Sequence, residues 1–450
     1  MKKNILCITA LAFAIAALVP LQAQVKVAPL NIKERVLLNG LKVVTLQENG
    51  SPTVSIHVWY DVGGKNDPAG RSGFAHLFEH LMFKATANMP NEKMDRLTED
   101  VGGFNNASTW PDFTNYYEVV PSNHLEPLLW AESERMVNLS VDEGNFQSER
   151  KVVQEEYRTS VLDPPYGRLY WYLDDVTFQK HPYRRGVIGD LDQLQAATRA
   201  DAEKFYKEYY RPDNAVLIIV GDFEQKQLDG WIDKYFGKLK RLSTPIARVT
   251  EVEPEWTTER RFEKFGPIVP FPATAIVYRA PKTTSPDIPA LRLAASIMSG
   301  GESSRLYQSL VRTQQIAQGA DLDLELNTEG GRMSLVGIGA EKGTAPNLEA
   351  ALLAELKKIQ DSGVTAKELE KAKNQLVSRA IRARETNDGK AISIERAVAY
   401  QGDPKAVNNE VAALQAVTAA DIQRVMKQYF KDNNRVVIHY NQEKKVEATK

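Results

Sequence analysis

The chain has 450 residues, too many for one compact core, so two or three domains are expected. It is 43% hydrophobic and 26% charged, and 57 Lys plus Arg face 58 Asp plus Glu for a formal net charge of -1, which argues against a disordered chain and against nucleic acid as a partner. A single cysteine, Cys7, rules out an intrachain disulfide, a Cys-rich zinc finger and an iron–sulfur site.

Lys2 and Lys3 open the chain, residues 5–18 are almost unbroken apolar, and Pro20 and Ala23 follow. That order predicts a secretory signal peptide over residues 1–23, cleaved near Ala23. The apolar run is shorter than the ~20 residues of a membrane span, which favours cleavage over an anchor. The mature chain then carries a net charge of -3 and no cysteine, which suits a periplasmic or secreted protein. No later run approaches the roughly 18 apolar residues of a span, so no membrane span is expected in the mature chain.

Residues 35–38 and 41–46 read as strands joined through Asn39-Gly40, a strong hairpin signal. Residues 53–62 alternate and are rich in β-branched and aromatic side chains, as in a strand. Residues 72–83 read as a helix, 116–120 as a strand, and 125–137 and 142–161 as helices. Residues 194–210 read as one helix and 215–220 as a buried strand.

The chain also repeats itself. Leu194-Gln195-Ala196-Ala197-Thr198 recurs as Leu414-Gln415-Ala416-Val417-Thr418, an offset of 220. The same offset relates Asp201 to Asp421, Tyr209 to Tyr429, Asn214 to Asn434 and Ile218 to Ile438. Looser counterparts link 53–62 to 273–279 and 125–136 to 348–359. So long a period is not a solenoid; it indicates two homologous halves. The expected boundaries are an N-terminal domain over 30–240, a linker over 241–259 and a C-terminal domain over 260–445. Pro245, Pro254 and several charges make that linker a semi-rigid strap rather than a floppy tether.

His76-Leu77-Phe78-Glu79-His80 is the informative stretch. Histidines four apart share one face of a helix and can hold one zinc ion, and Glu79 could take a proton from a metal-bound water. This is the inverted H-x-x-E-H order. The bland reading is two histidines packing a helix by accident. Zinc needs a third protein ligand, and residues 149–156 offer Glu149, Glu155 and Glu156. Glu149 and Glu156 share a helical face, but an acidic helix is by spacing alone a solvated surface.

The motif, with Glu156 76 residues beyond His80, resembles the insulinase or pitrilysin-type zinc peptidases, especially their short bacterial and mitochondrial-processing-peptidase-like members. The resemblance runs from about Val36 to Asn441. It implies an α+β fold of two homologous halves, each an antiparallel sheet with helices packed on one face. It also implies Glu156 as the third ligand, Glu149 as an assisting acidic residue and Glu155 as a solvated neighbour. Gly102-Gly103-Phe104-Asn105-Asn106-Ala107-Ser108-Thr109 resembles the family's edge strand beside the zinc, which makes Asn106, Ala107 and Ser108 substrate-facing. Read alone, those residues are equally a turn. Ser299 to Tyr307 resembles the family's glycine turn before a helix. Arg312 fits an arginine that holds the substrate backbone, whereas Gln318 stands where a tyrosine is expected.

These readings describe a zinc metalloendopeptidase with one Zn2+ per chain, cleaving short or unfolded peptides bound as an added edge strand. The C-terminal half has no histidine pair, and His439 is expected to pack in its last strand. The partner is a second copy or a similar chain lacking the zinc motif. The rivals are a non-catalytic peptide-binding or scaffold subunit of the same fold, and a metal hydrolase acting on something other than peptide.

Overall fold

The computed structural model describes residues 25–444. The expected signal peptide, Cys7 included, lies outside the described residues.

Strands β1 (Lys33–Val36) and β2 (Lys42–Gln47) form the hairpin, with Gly40 at φ +93°, a left-handed value its side-chain-bearing neighbours would resist. Then come β3 (Thr53–Tyr60), α1 (Phe74–Leu81), α2 (Lys93–Glu99), β4 (Phe104–Thr109) and β5 (Thr114–Pro121). Helices α3 (Leu125–Asn138), α4 (Glu143–Tyr157), α5 (Gly167–Thr177), α6 (Leu191–Ala196) and α7 (Arg199–Tyr209) lead to β6 (Ala215–Gly221) and α8 (Gln225–Tyr235). The sheet order is β1-β2-β6-β3-β5-β4, so β4 is an edge.

The second half repeats this plan. Strands β7 (Arg260–Gly266) and β8 (Ala273–Arg279), helix α9 (Ile288–Ser299), β9 (Ala317–Glu325), β10 (Arg332–Gly339), α10 (Ala345–Ser362), α11 (Ala366–Arg382), α12 (Asn387–Gln401), α13 (Glu410–Ala416), α14 (Ala419–Tyr429) and β11 (Arg435–Gln442) follow. Their sheet runs β7-β11-β8-β10-β9, with β9 as the edge that corresponds to β4. Thr53 opens β3 and Ala273 opens β8, again 220 apart.

Two sequence expectations need correcting in detail. Neither sheet is wholly antiparallel: β2 pairs with β6 in parallel, and β7 pairs with β11 in parallel. These strands are far apart in the chain, and helical crossovers separate them, as parallel pairing requires. Residues 194–210 are two helices, not one. Thr198 accepts from the Asp201 N–H while the Asp201 carboxylate accepts from the Thr198 N–H, a capping box that starts a new helix. Thr418 and Asp421 make the same box at α14.

Each half packs its own helices on one sheet face. Phe74, Phe78, Leu128, Leu129, Phe146 and Phe205 meet Ile56, Val58 and Tyr60 in the first core. The opposite face is covered by a helix from the other half. Ala391, Ile394 and Val398 of α12 pack on Val44, Val216, Ile218 and Val220 of the first sheet. Leu169, Leu173 and Val176 of α5 pack on Ala275, Val277, Val436 and Ile438 of the second. Gly167 and Asn387, the first residues of these helices, are 220 apart, so the exchange follows the repeat. Each fully buried aliphatic side chain stabilises by roughly 1.5–3 kcal/mol, so the exchange bonds the halves along two broad apolar faces.

Polar contacts complete the junction. Asp112, in the β4–β5 turn, accepts from the Thr328 N–H at 2.8 Å and the Thr328 hydroxyl at 2.7 Å, in the β9–β10 turn. Glu253 accepts from the backbone N–H groups of Gln179, Lys180 and His181 at 2.7, 2.9 and 2.9 Å and lies 3.7 Å from Arg279 of β8. The segment between α8 and β7 is thus strapped to both halves. No helix among the described residues is long and apolar enough to cross a membrane.

Candidate metal centre

Helix α1 carries the histidine pair. Its Phe74, Ala75, Leu77, Phe78 and Leu81 are buried, which turns His76, Glu79 and His80 toward the other face. Asp67 starts the helix: its carboxylate accepts from the Gly73 N–H at 2.7 Å and the Ala75 N–H at 2.8 Å. Gly73 sits at φ +88°, and a Cβ there would meet the Ile188 carbonyl oxygen at 2.7 Å. The chain can make this entry only with glycine.

Helix α4 packs beside α1. It buries Phe146, Glu149, Val153 and Tyr157 and presents Glu156 to the histidines. One ligand atom from each of His76, His80 and Glu156 lies within 4.8 Å of the others. Glu156 Oε2 is 3.4 Å from His76 Nε2 and 3.6 Å from His80 Nε2. Two imidazole nitrogens and one carboxylate oxygen fit zinc and leave a fourth position open. His76 Nδ1 is buried with no hydrogen-bond partner.

Glu149 lies behind His80, with Oε2 3.6 Å from His80 Nδ1. Lys84 holds the other oxygen at 2.9 Å. A carboxylate on the far nitrogen orients a ligating imidazole and raises its basicity. The sequence does not single out Lys84; its one signal is its position a helical turn after His80. Glu155 is exposed and pairs with Arg158 at 3.0 Å, away from the cluster.

The electrostatics of these side chains follow from burial and neighbours. Burial and the charge of His80 push the His76 pKa down to about 3. Burial also opposes a charge on His80, but the carboxylates of Glu149, Glu156 and Glu79 outweigh it and hold its pKa above the usual value. Burial raises the Glu79 pKa against the pull of Thr109 and His80. Glu149 resists burial because His80 and Lys84 keep its carboxyl below the usual range.

Strand β4 runs beside α1. Thr109 donates from its hydroxyl to Glu79 Oε2 at 2.6 Å. Ala107, on the same strand face, is buried in the core, so only its main chain is available at the edge. Asn106 is exposed, and its Oδ1 accepts from the Ala107 N–H at 2.8 Å. Ser108 donates to Asn115 Oδ1 at 2.5 Å and accepts from Trp110 Nε1 at 3.0 Å.

Among the described residues the other half offers no such cluster. The repeat offset puts Ser296 and Gly300 where His76 and His80 stand, and the Ser296 hydroxyl bonds to Gln375 Oε1 at 3.2 Å. His439 is not simply packed in β11: its ring nitrogens face Glu263 at 3.0 Å and Glu349 at 2.6 Å. Arg312 is exposed on a π-helical segment, Tyr307–Thr313, and makes no hydrogen bond or ion pair among the described residues. Gln318 is exposed and unpaired at a bulge in β9, where Gly339 pairs with Ala317 and Ile338 with Gly319.

Comparison with known proteins agrees with this architecture. Residues 42–190 match the family model described as "Insulinase (Peptidase family M16)", and residues 196–376 match "Peptidase M16 inactive domain". The zinc protease PqqE of Helicobacter pylori is 30% identical over 408 residues, 89% of this chain and 91% of that one. The chain belongs to the insulinase family of peptidases. A crystal structure of a protease from Helicobacter pylori superposes with a TM-score of 0.88 at 28% identity, over 92% of this chain and 100% of that one. The periplasmic protease PqqL of Escherichia coli shares the fold at 18% identity and a TM-score of 0.75; the match covers 92% of this chain but 48% of that one.

Proposed function

We propose that this member of the insulinase family is a zinc-dependent endopeptidase acting on short or unfolded peptides. The observation that carries the reading is the meeting of His76, His80 and Glu156 within 4.8 Å, beside Glu79 and an open strand edge. His76 Nε2, His80 Nε2 and a Glu156 oxygen would hold zinc. When bound, zinc polarises the peptide carbonyl and makes water more acidic.

The chain's own groups do the rest. Glu149, fixed by Lys84, orients the His80 ring. Glu79 takes a proton from the attacking water and returns it to the nitrogen of the leaving amine. Burial suits it to that work, because a base whose pKa is raised toward the working pH both accepts and releases a proton readily. The edge of β4 would take the peptide as an added strand, and the peptide would compete with Asn106 for the Ala107 N–H. Arg312 would hold the peptide backbone from the second half or from another subunit. Location in the periplasm or outside the cell belongs to the same reading, as does assembly with a second chain of this fold. The doubled length of the Escherichia coli relative supports that assembly.

The test is metal analysis with cleavage of an unstructured peptide, compared in wild type and Glu79→Gln. Zinc should stay bound in the variant while turnover falls by about 10²–10⁴-fold, the loss expected for a missing general base. Near-normal turnover, or loss of the metal, would take Glu79 out of this role.

A further inference from the structure

We infer that Thr109 is a positioning residue for Glu79, tying the orientation of the carboxylate to the strand edge that would receive the peptide. The inference rests on the peptidase reading above. A glutamate on a helix has three side-chain torsions and needs a partner to hold one orientation. Among the described residues, Thr109 is the only side chain that donates a hydrogen bond to Glu79, at 2.6 Å. That is the short contact typical of a hydroxyl on a carboxylate.

The hydroxyl itself is fixed. Thr109 and Thr114 are the last register pair of β4 and β5 before the turn. The Thr114 hydroxyl donates to the Val62 carbonyl at 2.9 Å and lies 3.5 Å from the Thr109 oxygen. Thr114 thus spends its hydrogen elsewhere, and the single hydrogen of Thr109 is free for Glu79. Ala107 lies two residues earlier on the same face, anchored in the core. One short strand therefore sets both the main-chain edge at Ala107 and the carboxylate at Glu79. A peptide aligned on β4 is aligned to the base by the same backbone. A misplacement of about 1 Å costs on the order of 100-fold in rate, which sets the scale of the effect.

The experiment compares Thr109→Val, which keeps the shape and loses the hydroxyl, with Thr109→Ser, which keeps the hydroxyl. Both are made in the full chain, with zinc content, kcat and KM measured on an unstructured fluorogenic peptide. A separate readout needs no turnover: denaturant midpoints of the EDTA-treated wild type, Thr109→Val, Glu79→Ala and the double variant. Thr109→Val should lower kcat by roughly 10–100-fold with KM within about two-fold and zinc unchanged. Thr109→Ser should recover most of that loss. The midpoint shift of the double variant should fall short of the two single shifts combined, because both remove the same bond. Four results overturn the inference: near-wild-type kcat in Thr109→Val, loss of its zinc, a Thr109→Ser as slow as Thr109→Val, or additive midpoint shifts. If the wild type cleaves no peptide, the peptidase reading fails on its own. The midpoints still decide whether Thr109 holds Glu79.

Discussion

His57 Nδ1 lies 2.5 Å from Glu395 Oε2, joining an interior strand of the first sheet to a helix of the second half. The other ring nitrogen faces Ser55 at 3.2 Å and Asp388 at 3.3 Å, and the ring stacks on Tyr117. Two carboxylates of α12 therefore grip one fully buried imidazole of β3. The other exchanged helix has a matching device. Arg332 of β10 bonds to Asp174 of α5 at 2.7 Å and to Glu325 at 2.5 Å. Each sheet thus fixes the visiting helix with a buried basic side chain beside its apolar contact.

The first prediction concerns pH. Burial alone would lower the His57 pKa, but hydrogen bonds to Asp388 and Glu395, with their charges, raise it to about 9. A raised histidine pKa contributes stability that is complete below the unfolded value near 6.5 and fades as pH climbs to about 9. The size is on the order of 3 kcal/mol. Glutamine at position 57 should therefore destabilise the protein at pH 6.5 and much less at pH 9.5. Denaturant midpoints of both proteins at these two pH values check it. An equal gap at both would mean that His57 contributes packing and no charge.

Arg332 makes the second case. Removing a buried cation leaves its carboxylates unpaired, which costs about 3–5 kcal/mol. Asp174 and Glu325 keep 20% and 27% of their side-chain surface, so the loss in Arg332→Met should sit near the low end. Lysine should not restore it, because Asp174, Ser334 and Glu325 are met by three different guanidinium nitrogens, a spread that a single ammonium nitrogen does not span. Full stability of Arg332→Lys, measured by urea unfolding, would contradict this.

How much of this was legible depends on sequence distance. The histidine pair was readable because helical periodicity places residues four apart together. Duplication was readable because the repeat is collinear. His57, Glu395 and Asp388 were not, since their partners lie over 330 residues away and no spacing rule connects a strand of one half to a helix of the other. Asp67 escaped for a smaller reason: it caps α1 from six residues ahead of Gly73, outside the usual capping pattern. The parallel pairs escaped because strand runs in a sequence carry no sign of their direction.

The third prediction separates three neighbouring glutamates. Glu156→Gln should weaken zinc binding strongly, because the carboxylate that faces both histidines loses its charge. Glu155→Gln should leave metal and turnover unchanged, since Glu155 is exposed and faces Arg158. Glu149→Gln should fall between them, with metal affinity reduced about 10–100-fold, because it acts through the His80 ring. Competition with a chromophoric chelator ranks the three. Full zinc in Glu156→Gln with none in Glu155→Gln would move the ligand by one residue.

The last prediction concerns assembly. Arg312 is exposed and unbonded among the described residues, and Gln318 occupies a bulge where the family likeness expects a tyrosine. A clamp with one member leaves the substrate carbonyl free to move. Catalysis needs the reacting atoms held in an attack geometry, so the metal cluster alone is not enough for full rate. The isolated chain should therefore cleave peptides slowly. A second chain of this fold, lacking the histidine motif but carrying both arginine and tyrosine, should raise kcat by about 10-fold or more, since a better-positioned carbonyl speeds the chemical step. Sedimentation of the purified chain, with peptide cleavage at several protein concentrations, separates this from self-association. In a homodimer that relies on Arg312, activity should rise with concentration and collapse in Arg312→Ala. A fully active homodimer indifferent to Arg312→Ala would remove both the mixed assembly and the arginine clamp, and would leave the holding of the peptide to the β4 edge.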